Sequence, residues 1–174
     1  MQGTEFDFAA SNCVEFMPDG KAILSGWTDG KIRCFLPQSG KLLWILNDAH
    51  QAGTKNSGGV LCLAATADCA NVLSGGADGE VRLWDIGKQT KKLQSAQAVH
   101  KGPITSVVLI DDATCASSSQ DGSIIIWKLQ KHQILEKLRH ITVGEQLELG
   151  IISMLYISLT NNLVSIDGEK KVSY

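Results

Sequence analysis

The feature that most limits what this chain can fold into is a repeat. SGWTDGKIRCF (25–35), SGGADGEVRLW (74–84) and SSSQDGSIIIW (117–127) align without gaps. Each starts on Ser, reaches Asp-Gly four residues later, alternates, and meets an aromatic residue six after the Asp. A fourth copy, SIDGEKKVSY (165–174), has Asp167-Gly168 as its turn, but registration on Ser165 puts Glu169 at the aspartate position. The anchors 29, 78, 121 and 169 lie 49, 43 and 48 residues apart. A period of that size marks supersecondary units that gain stability by stacking on their neighbours.

Each period divides into short alternating segments bounded by turn residues, the pattern of half-buried strands. The first holds CVEFM, AILSGW, KIRCFL and KLLWIL. The second holds VLCLAAT, NVLSGG, EVRLWDI and LQSAQAV, and the third ITSVVLI, CASSS, SIIIWKL and ILEKLRHI. IISMLYI, LVSI and KVSY follow. Only Leu129–Leu138 could compete as a helix, and it is expected to be a turn plus an outer strand. Four-stranded antiparallel sheets repeated radially make a β-propeller. The expected fold is all-β, with three and a half to four blades at about 10–46, 47–95, 96–138 and a truncated 139–174. That number suits an arc of a larger ring. A four-bladed ring, with Thr4–Phe8 completing the last sheet, is the alternative.

Two histidines join the pattern. His50 precedes Asp78, and His100 precedes Asp121. His50, Ser74, Asp78 and Trp84, and likewise His100, Ser117, Asp121 and Trp127, then recur in one order. At these residues the chain resembles the WD40-repeat family, in which such side chains hydrogen-bond in series and pin a blade together, and whose rings most often have seven blades, so the resemblance implies an arc of a seven-bladed-type propeller. A partly buried carboxylate needs donors, and a satisfied buried network stiffens a fold. The first period keeps Ser25 and Asp29 but has Phe35 for Trp and no histidine. The fourth has His140 as a doubtful partner and Glu169 for Asp. The same residue types could form a Ser-His-Asp nucleophile, but catalytic sites rarely repeat, and these serines lie within strands rather than on an exposed elbow.

Composition narrows the function classes. The chain has 174 residues, 20% of them charged, and a net charge of −2. It therefore lacks the basic excess that marks nucleic-acid or anionic-membrane binding. MQGTEFDFAAS shows no basic region followed by an apolar one, so no signal peptide is expected. Five cysteines, at 13, 34, 62, 69 and 115, have neither paired spacing nor CxxC. Cys13, Cys34 and Cys62 fall in alternating apolar runs and are expected as core thiols, in a reducing compartment and with no metal site. No phosphate-binding glycine motif occurs. SGKLLW (39–44) is similar to the Gly-Lys-x-x-Trp docking motif of quinone-dependent propeller dehydrogenases. It occurs once, where those enzymes repeat it, so no cofactor is expected.

Several stretches are similar to one branch of the repeat family: EFMPDGKAILSGWTDGKIRCFLPQSGKL (15–42), NDAHQAG (47–53), LAATADC (63–69), SGGADGEVRLW and SSQDGSIIIWKL (118–129). They resemble the cilia- and flagella-associated WD-repeat family of the doublet-microtubule lumen. The resemblance implies a non-catalytic scaffold in the axonemal cytoskeleton, contacting tubulin and other inner proteins. It implies no nucleic acid, membrane or small-molecule substrate. A cytosolic adaptor, for instance in ubiquitin ligation or trafficking, is the alternative reading, and a quinone-dependent enzyme a remote one. Residues 54–59 form a polar insert before Val60, and 141–165 depart from the family pattern. Trp27, Arg33, Lys55 and Arg82 are exposed candidates for partner contact, Trp27 first because aromatics anchor interfaces, with packing between blades near the rim as its equal alternative.

Overall fold

The computed structural model describes residues 9–53, 58–87, 91–130, 133–142, 150–168 and 172–173. Strand follows strand through all of them, and they contain no helix. The first sheet has strands β1 (Ser11–Phe16), β2 (Ile23–Trp27), β3 (Ile32–Phe35) and β4 (Leu42–Leu46), paired in that order. The second has β5 (Val60–Ala65), β6 (Asn71–Gly76), β7 (Glu80–Asp85) and β8 (Lys92–Ala98). The third has β9 (Ile104–Asp111), β10 (Thr114–Ser119), β11 (Ser123–Gln130) and β12 (Gln133–Thr142). The fourth has β13 (Ile151–Ile157), β14 (Asn162–Asp167) and the short β15 (Val172–Ser173). All pairs are antiparallel, so the all-β expectation holds, and 133–142 is a strand. Thr4–Phe8 and Glu169 lie outside the described residues.

The register repeats with the sequence. Val14, Leu63, Val107 and Met154 stand opposite Ser25, Ser74, Ser117 and Ser165. Each sheet also has an irregularity near the start of its first strand: at Ser11/Cys13, at Val60/Cys62, opposite Ser118/Ser119 and at Ile151/Ser153. The apolar core lies between sheets. Leu24, Ile32 and Cys34 of the first sheet pack with Val60, Leu63, Val72 and Trp84 of the second. Leu73, Val81 and Leu83 pack with Ile104, Val107, Ile125 and Trp127, and Ala116 and Ile124 with Ile151 and Met154. The second and third sheets thus each bury one face on the sheet before and the other on the sheet after, the stacking that period implies.

Close approach explains two glycines. A Cβ on Gly26 would stand 2.5 Å from Val60 Cγ1, and one on Gly75 would stand 2.5 Å from Ile104 Cγ2. The thiols on the same side are apolar fillers. Burial pushes Cys13 up to about 11 and Cys115 up to about 12, and it raises Cys34 and Cys62 as well. All five cysteines are free.

Candidate functional site: hydrogen-bonded pins across the sheets

The second sheet shows how local sequence builds the site. Gly79 adopts φ +77, which the tight Asp78-Gly79 turn between β6 and β7 requires. Asp78 then turns its carboxylate back to accept the Glu80 amide at 3.2 Å. His50 arrives from the segment after β4. Its amide donates to Gly30 O of the first sheet at 3.1 Å, while its ring enters the second sheet.

His50 Nδ1 lies 3.0 and 3.1 Å from the two Asp78 oxygens, and Nε2 lies 2.8 Å from Ser74 Oγ. Trp84 Nε1 donates to the same Oγ at 2.9 Å. One assignment of protons satisfies every group. Indole N–H donates to Ser74 Oγ, the Ser74 hydroxyl donates to Nε2, and Nδ1–H donates to Asp78. Arg82 closes the outer side. It reaches Asp78 at 3.3 Å, Glu80 at 2.7 Å and the Ala49 carbonyl at 2.7 Å. Burial opposes ionisation of Asp78. The hydrogen bond from His50, with those from the Glu80 and Gln51 amides, outweighs it and holds the carboxyl at about 2.

The third sheet has an extra member. His100 Nε2 meets Ser117 Oγ at 2.7 Å, and Trp127 Nε1 donates to that oxygen at 2.8 Å. His100 Nδ1 is 3.8 Å from Asp121, too far for a hydrogen bond, and meets Ser123 Oγ at 2.7 Å instead. The Ser123 hydroxyl then donates to Asp121. Burial again opposes, but Ser123 and the Lys101 amide hold Asp121 below the usual carboxylate range. Sequence reasoning missed Ser123, although its place two residues after Asp121 puts it just past the turn.

The first sheet is built differently. Phe35 takes the tryptophan position in the register and has no N–H to give. Trp27 supplies the missing donor, its indole reaching Ser25 Oγ at 2.6 Å. Arg33 replaces histidine at the aspartate, bonding Asp29 at 3.1 and 2.6 Å and covering the Trp27 ring at 4.5 Å. Burial opposes ionisation of Asp29, but Arg33 and the Lys31 amide lower its carboxyl. This corrects the expectation that Trp27, Arg33 and Arg82 stand exposed for a partner. All three are half-buried, because the aspartates and Ser25 engage them. Lys55 lies outside the described residues, as does the His140 side chain. At the end of the insert, Asn12 Nδ2 donates to Gly58 O and, just past it, to Val60 O, both at 2.9 Å.

Ser74, His50 and Asp78 have the connectivity of a catalytic triad, but the surroundings deny it that chemistry. Ser74 is 0% exposed, and its oxygen already holds an indole and an imidazole. No acyl carbon could approach it. Elsewhere, a groove of about 560 Å³ lies along Pro18, 65–68 and 109–112. Asp68 and Asp111 there cap their own turns, accepting the Ala70 and Ala113 amides. SGKLLW (39–44) is a turn at Gly40, with φ +65, leading into β4.

Comparison with known proteins agrees with this architecture. The model of "WD domain, G-beta repeat" matches residues 8–35, 40–85 and 90–128. The chain is 43% identical over 126 residues to human Cilia- and flagella-associated protein 52, covering 70% of this chain and 19% of that protein. It is 39% identical over 163 residues to the Chlamydomonas reinhardtii protein of the same name, covering 93% of this chain and 24% of that one. A guanine nucleotide-binding protein subunit beta from Solanum tuberosum is 29% identical over 125 residues, 70% of this chain and 33% of that protein. The chain therefore spans about a quarter or less of the flagellar relatives it matches. With sheets, register and family match in agreement, the chain belongs to the WD40-repeat family.

Proposed function

We propose that this chain is a non-catalytic scaffold blade set, a structural component of motile cilia or flagella held inside axonemal doublet microtubules. The observation that carries the reading is the 39–43% identity to proteins named as cilia- and flagella-associated, over 70–93% of this chain. The site chemistry supports it. The polar side chains that could have served catalysis satisfy one another in buried pins, which stiffen the sheets and leave binding to the surface loops. Its partners are tubulin and neighbouring inner proteins, reached through hairpins at the sheet ends.

The test is fractionation of flagella carrying a tagged copy. The expected outcome is retention on doublets after a high-salt wash. Recovery only in the soluble fraction overturns the axonemal placement and leaves a general WD40 adaptor, to which the likeness to the G-protein subunit also points.

A further inference from the structure

The groove of about 560 Å³ crosses the rim where the first hairpins of three successive sheets turn. The register accounts for it. Two residues beyond Val14, Leu63 and Val107, which stand opposite the pin serines, come Phe16, Ala65 and Leu109. Two further on come Pro18, Ala67 and Asp111. The second sheet is small at both places and its neighbours are larger, so a trough opens along its turn. Pro18, Leu109 and Ile110 complete the apolar lining. Leu109 and Ile110 are half-buried against the second and third cores, so the trough reaches the margin of the packed interior. An apolar trough of this size with a polar rim is the form that ligand sites take.

Its charged residues are all of one sign. Asp68, Asp111 and Asp112 line it, with no lysine or arginine among the lining. Asp68 and Asp111 accept the Ala70 and Ala113 amides, so the turns themselves fix where these carboxylates stand. Across the first turns of these three sheets, four aspartates stand against one lysine, Lys21, and that lysine pairs with Asp19 at 3.2 Å. Every lining residue belongs to the first three sheets. Sheets added before the first or after the fourth would build none of its walls.

We propose that this groove docks an extended segment of a partner protein in which lysine or arginine alternates with apolar residues. The apolar side chains fill the trough over Ala65 and Ala67, and the cations meet Asp68, Asp111 and Asp112. The groove crosses three turns, which suits a chain rather than a compact ligand. Acidic segments are turned away by the same carboxylates. Docking of this kind serves an axonemal scaffold and a general adaptor alike, so it stands or falls apart from the fractionation above.

The probe is a fluorescein-labelled hexapeptide of alternating leucine and arginine, followed by fluorescence anisotropy on the purified protein. Saturable binding that weakens with added salt is expected, and the same peptide with glutamate for arginine should not bind. Ala67→Leu fills the trough and is expected to weaken binding about tenfold or more. Asp112→Asn should weaken it about two- to fivefold. Gln51→Lys makes an equal change of charge at the opposite end of β5, beside Asp78, and should leave binding unchanged. All three positions are exposed, and circular dichroism of each variant shows that the sheets stay folded. Absence of saturable binding, equal binding of the glutamate peptide, or affinity that ignores Ala67→Leu each overturns the proposal. So does a loss on Gln51→Lys as large as that on Asp112→Asn.

Discussion

The second and third sheets place the same four residue types in the same order and join them differently. In the second, His50 touches Asp78 directly, and Arg82 neutralises the carboxylate from outside. In the third, Ser123 stands between His100 and Asp121, and the position of Arg82 is taken by Ile125. The invariant part is the inner half, where one serine oxygen sits between an indole and an imidazole at 2.7–2.9 Å. The outer half varies with the residue two after the aspartate. A carboxylate at a turn can be satisfied by several donors, but a fully buried hydroxyl needs both of its partners.

The largest expected effect breaks the second pin where the third tolerates a side chain. A Cβ on Gly76 would lie 2.1 Å from His50 Nδ1 and 2.4 Å from Asp78 Oδ1. Gly76→Ala must expel one of them and is expected to cost about 3 kcal/mol, seen as a lowered urea midpoint. The third sheet has Ser119 at this position, bonded to the Gly102 carbonyl. Ser119→Ala removes that bond and the one its oxygen accepts from the Asp121 amide at 3.2 Å, with no clash, and should cost about 1–2 kcal/mol. Equal losses would mean that the two pins are not distinguished at this point.

Next come the hub serines. Ser74→Ala and Ser117→Ala each leave a buried indole N–H and an imidazole nitrogen unmatched, for about 1–3 kcal/mol. Since the inner halves agree, the two losses should agree. The outer halves should separate. Asp78→Ala is expected to cost about 1–3 kcal/mol, whereas Ser123→Ala should act only in the third sheet. A double-mutant cycle on Ser123 and His100 is expected to show coupling of at least about 0.5 kcal/mol. Additivity there would remove Ser123 from the pin.

Much of this was legible in the sequence. The strands were, because alternation and turn residues recur with the period, and so were the serine, aspartate and tryptophan positions. Ser123 was not, because its role rests on a 3.8 Å separation of His100 from Asp121 that no spacing encodes. Trp27 was read as a surface anchor from its place beside a turn. Yet residues i and i+2 share one face of a strand, so the indole and Ser25 were neighbours from the start.

Acid should reveal the same asymmetry. Asp78 has an ordinary value of 3.8 and is held at about 2 in the fold. Its contribution is therefore present above about pH 4 and lost as the pH falls through that window toward 2. Asp121 and Asp29 are lowered as well and add slopes of the same sign. Asp78→Asn should flatten the stability profile below pH 4, measured as the thermal midpoint against pH. An unchanged slope would place the ionisation that matters elsewhere.

The smallest expected effect concerns the two arginines. Arg33 and Arg82 occupy one register position, and both pair with the aspartate four residues earlier. Such partly exposed pairs contribute roughly 0–1 kcal/mol. Arg82→Met removes a 3.3 Å contact from an Asp78 that His50 still holds, together with the 2.7 Å bonds to Glu80 and the Ala49 carbonyl. These partly exposed contacts should together cost about 1 kcal/mol or less. Arg33→Met also removes the cation over Trp27, worth roughly a further 0.5–1 kcal/mol, from a sheet with no histidine to compensate. Arg33→Met should therefore cost more than Arg82→Met, although the ion pairs look alike. The reverse order would mean that the first sheet is held by its packing and that its arginine clamp is incidental.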